Sequence, residues 1–115
     1  MSVILLTSDL MVVSHVQGAA ARRGVAVNLA ANAEQAAALA KTAEAQFVIV
    51  DLATPSLDVA ALVKYCRADE SAAPRIVAFG PHVHKDRLDA ARQAGCDYVM
   101  SRGQFLSQID ELLRG

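Results

Sequence analysis

The sequence predicts an α/β domain built on one parallel sheet with helices on both faces, and three observations carry that expectation. Five short apolar runs alternate along the 115 residues with five segments whose apolar positions recur at helical spacing. Glycine, proline or a side chain suited to capping a helix stands at nearly every junction between them. One run, Phe47-Val48-Ile49-Val50, is apolar throughout and leads straight into Asp51, as expected of a strand covered on both faces. Strands that alternate with helices pair in parallel through right-handed crossovers, so the pattern reads as (βα)5.

Val3 to Leu6 form the first strand. Thr7, Ser8 and Asp9 then offer three capping side chains to a helix from Leu10 to Arg23, which Gly24 stops. Val25 to Leu29 alternates weakly and reads as the second strand. Asn32, with Gln35 three residues on, resembles a capping box opening an Ala-rich helix that runs to Glu44. Phe47 to Val50 is the third strand, and Pro55 prevents its continuation. In the next helix Val59, Leu62, Val63 and Cys66 fall at i, i+3, i+4 and i+7, a single apolar face. Pro74 closes the following loop, Arg75 to Phe79 is the fourth strand, and Gly80-Pro81 breaks it ahead of a helix from Val83 to Ala94 that Gly95 ends. Tyr98 to Met100 is the fifth strand. Ser101 and Gln104 form a second capping-box pattern, with Phe105, Ile109 and Leu112 lining the last helix. No repeat or low-complexity linker interrupts the series, and a single domain over residues 1–115 is expected.

Composition narrows the function. Apolar residues make up 54% of the chain, which argues against disorder, and a chain of this length buries roughly two-thirds of its unfolded surface. The formal net charge of −1 supplies no basic surface for a phosphate backbone, so nucleic acid is not an expected partner. There is no run of 18 apolar residues and no basic region ahead of the first strand, so neither a membrane span nor a signal peptide is expected, and the location read from this is cytoplasmic. Cys66 and Cys96 lack metal-type spacing and read as buried thiols.

Asp51 is the leading candidate for chemistry, because ligands of open α/β sheets bind at the carboxyl ends of the strands. The structural alternative is an Asp that ends a strand and caps a turn. His82 and His84, with Asp86 nearby, alternate along the chain and do not converge as i, i+4 ligands would, so a metal site there is disfavoured. His82 remains a candidate wall residue over Asp51, and His15 reads as a surface residue. Thr7-Ser8-Asp9-Leu10 lacks the glycines of a phosphate-binding loop, and no nucleophile elbow or paired base is legible. No enzyme and no catalytic residue are expected.

The run Asp51-Leu52-Ala53-Thr54-Pro55-Ser56-Leu57-Asp58 resembles the phosphoacceptor loop of response-regulator receiver domains. Ile4-Leu5-Leu6 and Arg92-Gln93-Ala94-Gly95-Cys96-Asp97 also fall where that family's pattern puts them, so the resemblance covers essentially the whole chain. It implies a flavodoxin-like (CheY-like) three-layer fold with strand order 2-1-3-4-5, Asp51 as phosphoacceptor, and a histidine kinase or downstream signalling protein as partner.

The departures from the pattern are as informative as the matches. The acidic pair that would hold Mg²⁺ is replaced by Thr7 and Ser8, neutral hydroxyls that bind a hard cation far more weakly than carboxylates. Asp9 could help hold the metal with Asp51 if its loop turned inward, although capping the first helix is the preferred reading. Mg²⁺ is therefore at most a weakly held cofactor. The lysine position carries Arg102, a candidate cation partner for Asp51 or a phosphate, and the proline after it is Gly103. The hydroxyl and aromatic switch positions carry Gly80 and Val99, with Tyr98 beside the latter on the opposite face of its strand. The resemblance is thus to a degenerate receiver, a pseudo-receiver acting through protein contact. Its expected face is the fourth helix, fifth strand and fifth helix, with Arg87, Arg92, Gln104 and Gln108 as contacts and a homodimer as a further option. A working phosphoacceptor is the alternative.

Overall fold

The computed structural model describes residues 2–68 and 73–114. Strands β1 (Ser2–Leu6), β2 (Ala26–Leu29), β3 (Phe47–Asp51), β4 (Arg75–Gly80) and β5 (Tyr98–Ser101) form one parallel sheet in the order β2-β1-β3-β4-β5. Helices α1 (Leu10–Arg22), α2 (Ala33–Thr42), α3 (Val59–Cys66), α4 (Lys85–Ala94) and α5 (Arg102–Leu112) complete the flavodoxin-like three-layer arrangement expected from the sequence.

The period-two geometry of strands divides the interior into two cores. Ile4, Leu6, Val48, Val50, Ile76 and Ala78 face the layer of α2, α3 and α4, where they meet Ala36, Leu62 and Leu88. Val3, Leu5, Phe47, Ile49, Val77 and Phe79 face α1 and α5, where they meet Val12, Val16, Phe105 and Ile109. The central strand β3 is buried along its whole length. Edge strand β2 is partly exposed at every residue, which accounts for the weak alternation of its sequence.

Element ends differ from expectation where local geometry overrides pattern. Helix α2 stops at Thr42 because Ala43 is its cap and Glu44 enters the left-handed region with φ 50°. Helix α4 begins at Lys85, two residues later than the sequence suggested, because Pro81 to His84 form a turn closed by the His84 amide on the Pro81 carbonyl at 2.9 Å. Gly95 ends α4 with φ 97°, a conformation that costs a residue with a Cβ roughly 1–2 kcal/mol. The capping box at Ser101 and Gln104 is formed in both directions.

One clamp has no sequence signature. The Asp97 carboxylate accepts from the Ile76 amide at 2.7 Å and from the Arg67 guanidinium at 2.9 Å, while the same guanidinium nitrogen reaches the Gly95 carbonyl at 2.9 Å. The end of α3 is thereby tied to the segment between α4 and β5.

Cys66 is buried and Cys96 half-buried, and neither forms a disulfide. Burial pushes the Cys66 thiol up, with the Arg67 charge opposing it. At Cys96, burial followed by the Asp97 charge pushes the thiol up to about 11. Such a thiol is ionised in about one molecule in a thousand at pH 8, so its alkylation by iodoacetamide should run at least ~100-fold slower than that of a free cysteine peptide. Mass spectrometry of a time course would read this directly, with urea-unfolded protein as the reactive reference; alkylation at the free-peptide rate in the folded protein would contradict it.

Candidate functional site

Strand register brings the site together. Leu6 lies opposite Val50 in the β1–β3 pair, so Thr7 and Asp51, each one residue further on, meet at the carboxyl edge of the sheet. The Thr7 hydroxyl donates to Asp51 Oδ2 at 2.6 Å, and the Ala53 amide donates to Oδ1 at 2.9 Å. Asp51 is 7% exposed, and with Ser2 it is one of two buried polar residues among those described. Hydrogen bonds to a charged acceptor contribute about 1.5–3 kcal/mol each, so both carboxylate oxygens are engaged at meaningful strength. The sequence marked Thr7 as a possible helix cap and as a position lacking an acid, whereas in the structure it is the side-chain partner of Asp51. Continuing the parallel register past Leu6 and Val50 was the available signal for that contact.

Asp9 occupies the α1 N-cap. Its Oδ1 accepts from the Met11 and Val12 amides at 3.0 and 3.3 Å. Its Oδ2 takes the Arg102 guanidinium, with Nε at 3.1 Å and Nη2 at 2.9 Å. The Asp9 amide itself donates to Thr7 Oγ1 at 3.1 Å, so the Thr7 hydroxyl links the Asp9 loop to Asp51. Asp9 thus caps α1, the preferred expectation, with the cap amides and Arg102 using both of its oxygens. One expectation is overturned. Arg102 does not pair with Asp51, because α1 and α5 are neighbours on the same face of the sheet and the guanidinium meets the Asp9 carboxylate, while Asp51 is satisfied by nearer donors.

The donor set suits Mg²⁺ poorly. That ion requires hard, preferably anionic oxygens around a hydrated octahedron. Thr7 is neutral and committed to Asp51, and Ser8 is exposed without a hydrogen-bond partner among the described residues. No group of three His, Cys, Asp or Glu able to hold a metal occurs among the described residues.

The balance of influences on Asp9 gives a pH signature. Burial alone would raise its carboxyl, but the Val12 amide, the hydrogen bond and charge of Arg102, and the Met11 amide together hold it below the ordinary 3.8. A carboxyl depressed in the folded state contributes stability that is complete above its unfolded value and is lost as pH falls through the folded one. Asp9→Asn should therefore flatten the acid limb of the stability curve below about pH 4.5, leaving the slope at higher pH unchanged. Urea midpoints measured across that range would test it; equal slopes in the two proteins would show that the pair contributes nothing.

The other expected positions are dispersed. Gly80 is buried at the end of β4, and a Cβ built there would stand 3.3 Å from the Leu52 Cβ, so a hydroxyl side chain would fit only if Leu52 gave way. Val99 packs on the α2–α3–α4 core, while Tyr98 lines a surface hollow with Gln108 and Arg75. His15, His82 and His84 are exposed, and neither His82 nor His84 hydrogen-bonds Asp51. Arg87 is exposed, and its Nη1 donates to the Leu52 carbonyl at 3.1 Å, on the side of the Asp51 loop. Arg92 is exposed and pairs with Asp89 at 2.9 Å. Gln104 is held in the α5 capping box, its Oε1 3.0 Å from the Ser101 amide, and Gln108 is exposed.

No family model and no curated protein matches the sequence. Solved structures match it closely in shape. A response-regulator signal receiver domain from Bermanella marisrubri superposes with a TM-score of 0.76 at 20% identity, covering 97% of each chain. The receiver domain of a sensor histidine kinase from Pseudomonas aeruginosa, whose structure has a magnesium ion coordinated in its active site cleft, gives 0.78 at 19% identity over 98% of this chain and 93% of that one. The chemotaxis response regulator CheY4 of Vibrio cholerae gives 0.76 at 17% identity over 98% and 95%. The fold, in its length, strand order and helix placement, is that of the response-regulator receiver domains.

Proposed function

We propose that this chain is a receiver-like signalling domain of two-component type that acts through protein contact and has lost Mg²⁺-dependent phosphorylation of Asp51. The observation that carries this reading is the closed hydrogen-bond set at the sheet edge. Thr7 holds the Asp51 carboxylate, and Asp9 and Arg102 neutralise each other beside it. Phosphoryl transfer to a carboxylate requires a cation over the developing charge, and the groups that would supply or hold one are engaged elsewhere. Its partner class is a histidine kinase or a downstream signalling protein. Neither nucleic acid nor a membrane is part of the reading, the location is the cytoplasm, and the domain is not an enzyme. The side chains of the α4–β5–α5 face read as contacts, Arg87, Arg92, Gln104 and Gln108, are all exposed.

A working phosphoacceptor is the second reading, favoured by the presence of Arg102 at the same sheet edge as Asp51. Intact-mass spectrometry after incubation with acetyl phosphate and Mg²⁺ separates the two, with Asp51→Asn as control. The expected result is no base-labile adduct in either protein. An adduct confined to the unmodified protein would establish the second reading instead.

A further inference from the structure

The sheet has two outer strands, β2 and β5, and the β2 edge is the unguarded one. The Ala30 amide donates to the Leu5 carbonyl at 2.9 Å, which fixes how the strand faces β1. Successive strand residues direct their backbone groups to alternate sides. Ala26 and Asn28 therefore bond to β1, while Val27 and Leu29 turn amide and carbonyl away from the sheet. Natural edges are blunted by lysine, proline, a bulge or a covering segment, because such a row of free groups invites another strand. From Gly24 to Ala33 the chain has no charged residue and no proline, and the register with β1 runs without a bulge. Leu29, on the α1 side of the sheet, is 50% exposed. Helix α1, which packs against β2, carries no acid, lysine or arginine before Arg22. The β5 edge is different: Asp97 and Arg102 bracket it, and the strongly charged α4 flanks it.

The occupant that matches this edge is a second copy of the chain. A two-fold axis through Asn28, normal to the sheet, sets Val27 opposite Leu29 of the second copy and Leu29 opposite its Val27. Each such antiparallel pair exchanges two backbone hydrogen bonds, so every outward group of both strands is matched. The two Asn28 side chains meet on the other face, where amides both donate and accept. Charge favours the same sense. Exposed Arg23 and Lys41 stand at the amino end of the edge and exposed Glu34 at its carboxyl end, and none of the three is in an ion pair among the described residues. An antiparallel copy brings basic end to acidic end, whereas a parallel neighbour would align like charges. We infer that the chain forms a homodimer through β2, with Val27 and Leu29 of the two copies paired antiparallel about Asn28. The joined sheet takes five strands from each copy, within the size of known open sheets. Both α4–β5–α5 faces stay free on the outer flanks, so the dimer presents two equivalent contact faces and engages a two-site partner with avidity.

Sedimentation equilibrium and residue-resolved amide hydrogen exchange of the whole chain, between about 20 µM and about 1 mM, test the proposal. For so small an interface the expected Kd is on the order of 0.1 mM. The Val27 and Leu29 amides should then exchange about 4-fold more slowly at the higher concentration, while the Ala26, Asn28 and Ala30 amides, bonded to β1, stay protected throughout. Val27→Pro removes an amide that β1 does not use, and should leave a folded monomer at every concentration. Leu29→Lys, at an exposed position, places a charge on the edge without touching the core and should weaken the dimer at least ~5-fold. Asp51→Asn should dimerise as the unmodified protein does, which separates this interface from the phosphoacceptor reading. A monomer at about 1 mM, a dimer in which Val27 and Leu29 gain no protection, or a dimer indifferent to both Val27→Pro and Leu29→Lys would each overturn it.

Discussion

Thr7→Asp combined with Ser8→Asp is expected to make folding depend on Mg²⁺. In the present chain the Thr7 hydroxyl donates to a buried carboxylate at 2.6 Å. An aspartate at that position removes the donor and sets a second carboxylate against Asp51, at a cost of about 2–3 kcal/mol in metal-free buffer near neutral pH. The same change supplies the clustered anionic oxygens that Mg²⁺ binds. If the rebuilt site holds the ion with Kd of about 0.1–1 mM, then 10 mM Mg²⁺ returns roughly 1.4–2.7 kcal/mol of the loss. Urea denaturation in EDTA and in 10 mM MgCl₂ reads the difference, with the unmodified protein expected to show none. A double variant indifferent to Mg²⁺ would mean that something other than the missing acids, such as Arg102 seated on Asp9, closes the site.

Phe105→Ala should remove about 3–5 kcal/mol of stability, a large share of the 5–15 kcal/mol typical of a domain. Phe105 is fully buried on α5 and stacks on Phe79 of β4, with ring centroids 4.3 Å apart and planes 7° from parallel. In a chain with so few aromatic residues, this pair joins α5 to β4, the strand beside β3, at the residue in register with Asp51. The loss combines transfer of the ring with the cavity left behind and the stacking contact. Phe105→Leu, which keeps most of the volume, should cost less than half as much. Urea midpoints of the two variants would decide; a cost below about 1 kcal/mol for the alanine variant would show that α5 collapses onto the gap.

Three of the four side chains expected on the contact face also bond within the chain. Arg87 donates to the Leu52 carbonyl, and Gln104 closes its own helix cap. Arg92 is partnered within its own helix. Gln108 and Tyr98 share one exposed hollow with Arg75, at the opposite end of the strands from Asp51. Exposure of a side chain follows from which way its helix rolls against the sheet, and spacing alone does not specify that when polar residues flank the apolar stripe on both sides.

Sequence alone determined the elements of this protein, their parallel pairing and the placement of Asp51. The information is local: apolar runs of period two, helical stripes of period 3.6, and glycine or capping residues between them act within a few positions of one another. The resemblance to receivers supplied the strand order, which the structure has. Only the tertiary structure decided who pairs with whom at the sheet edge. Thr7 and Asp51 are 44 positions apart, and Asp9 and Arg102 are 93 apart. Each of these side chains had more than one chemically sound partner, and the choice fell to register and helix adjacency. The same holds for the Asp97 clamp and for the Thr54 hydroxyl left without a partner. Composition can say that a carboxylate, a guanidinium or a hydroxyl will seek a bond. Distance in the folded chain determines which bond it finds, and which group finds none.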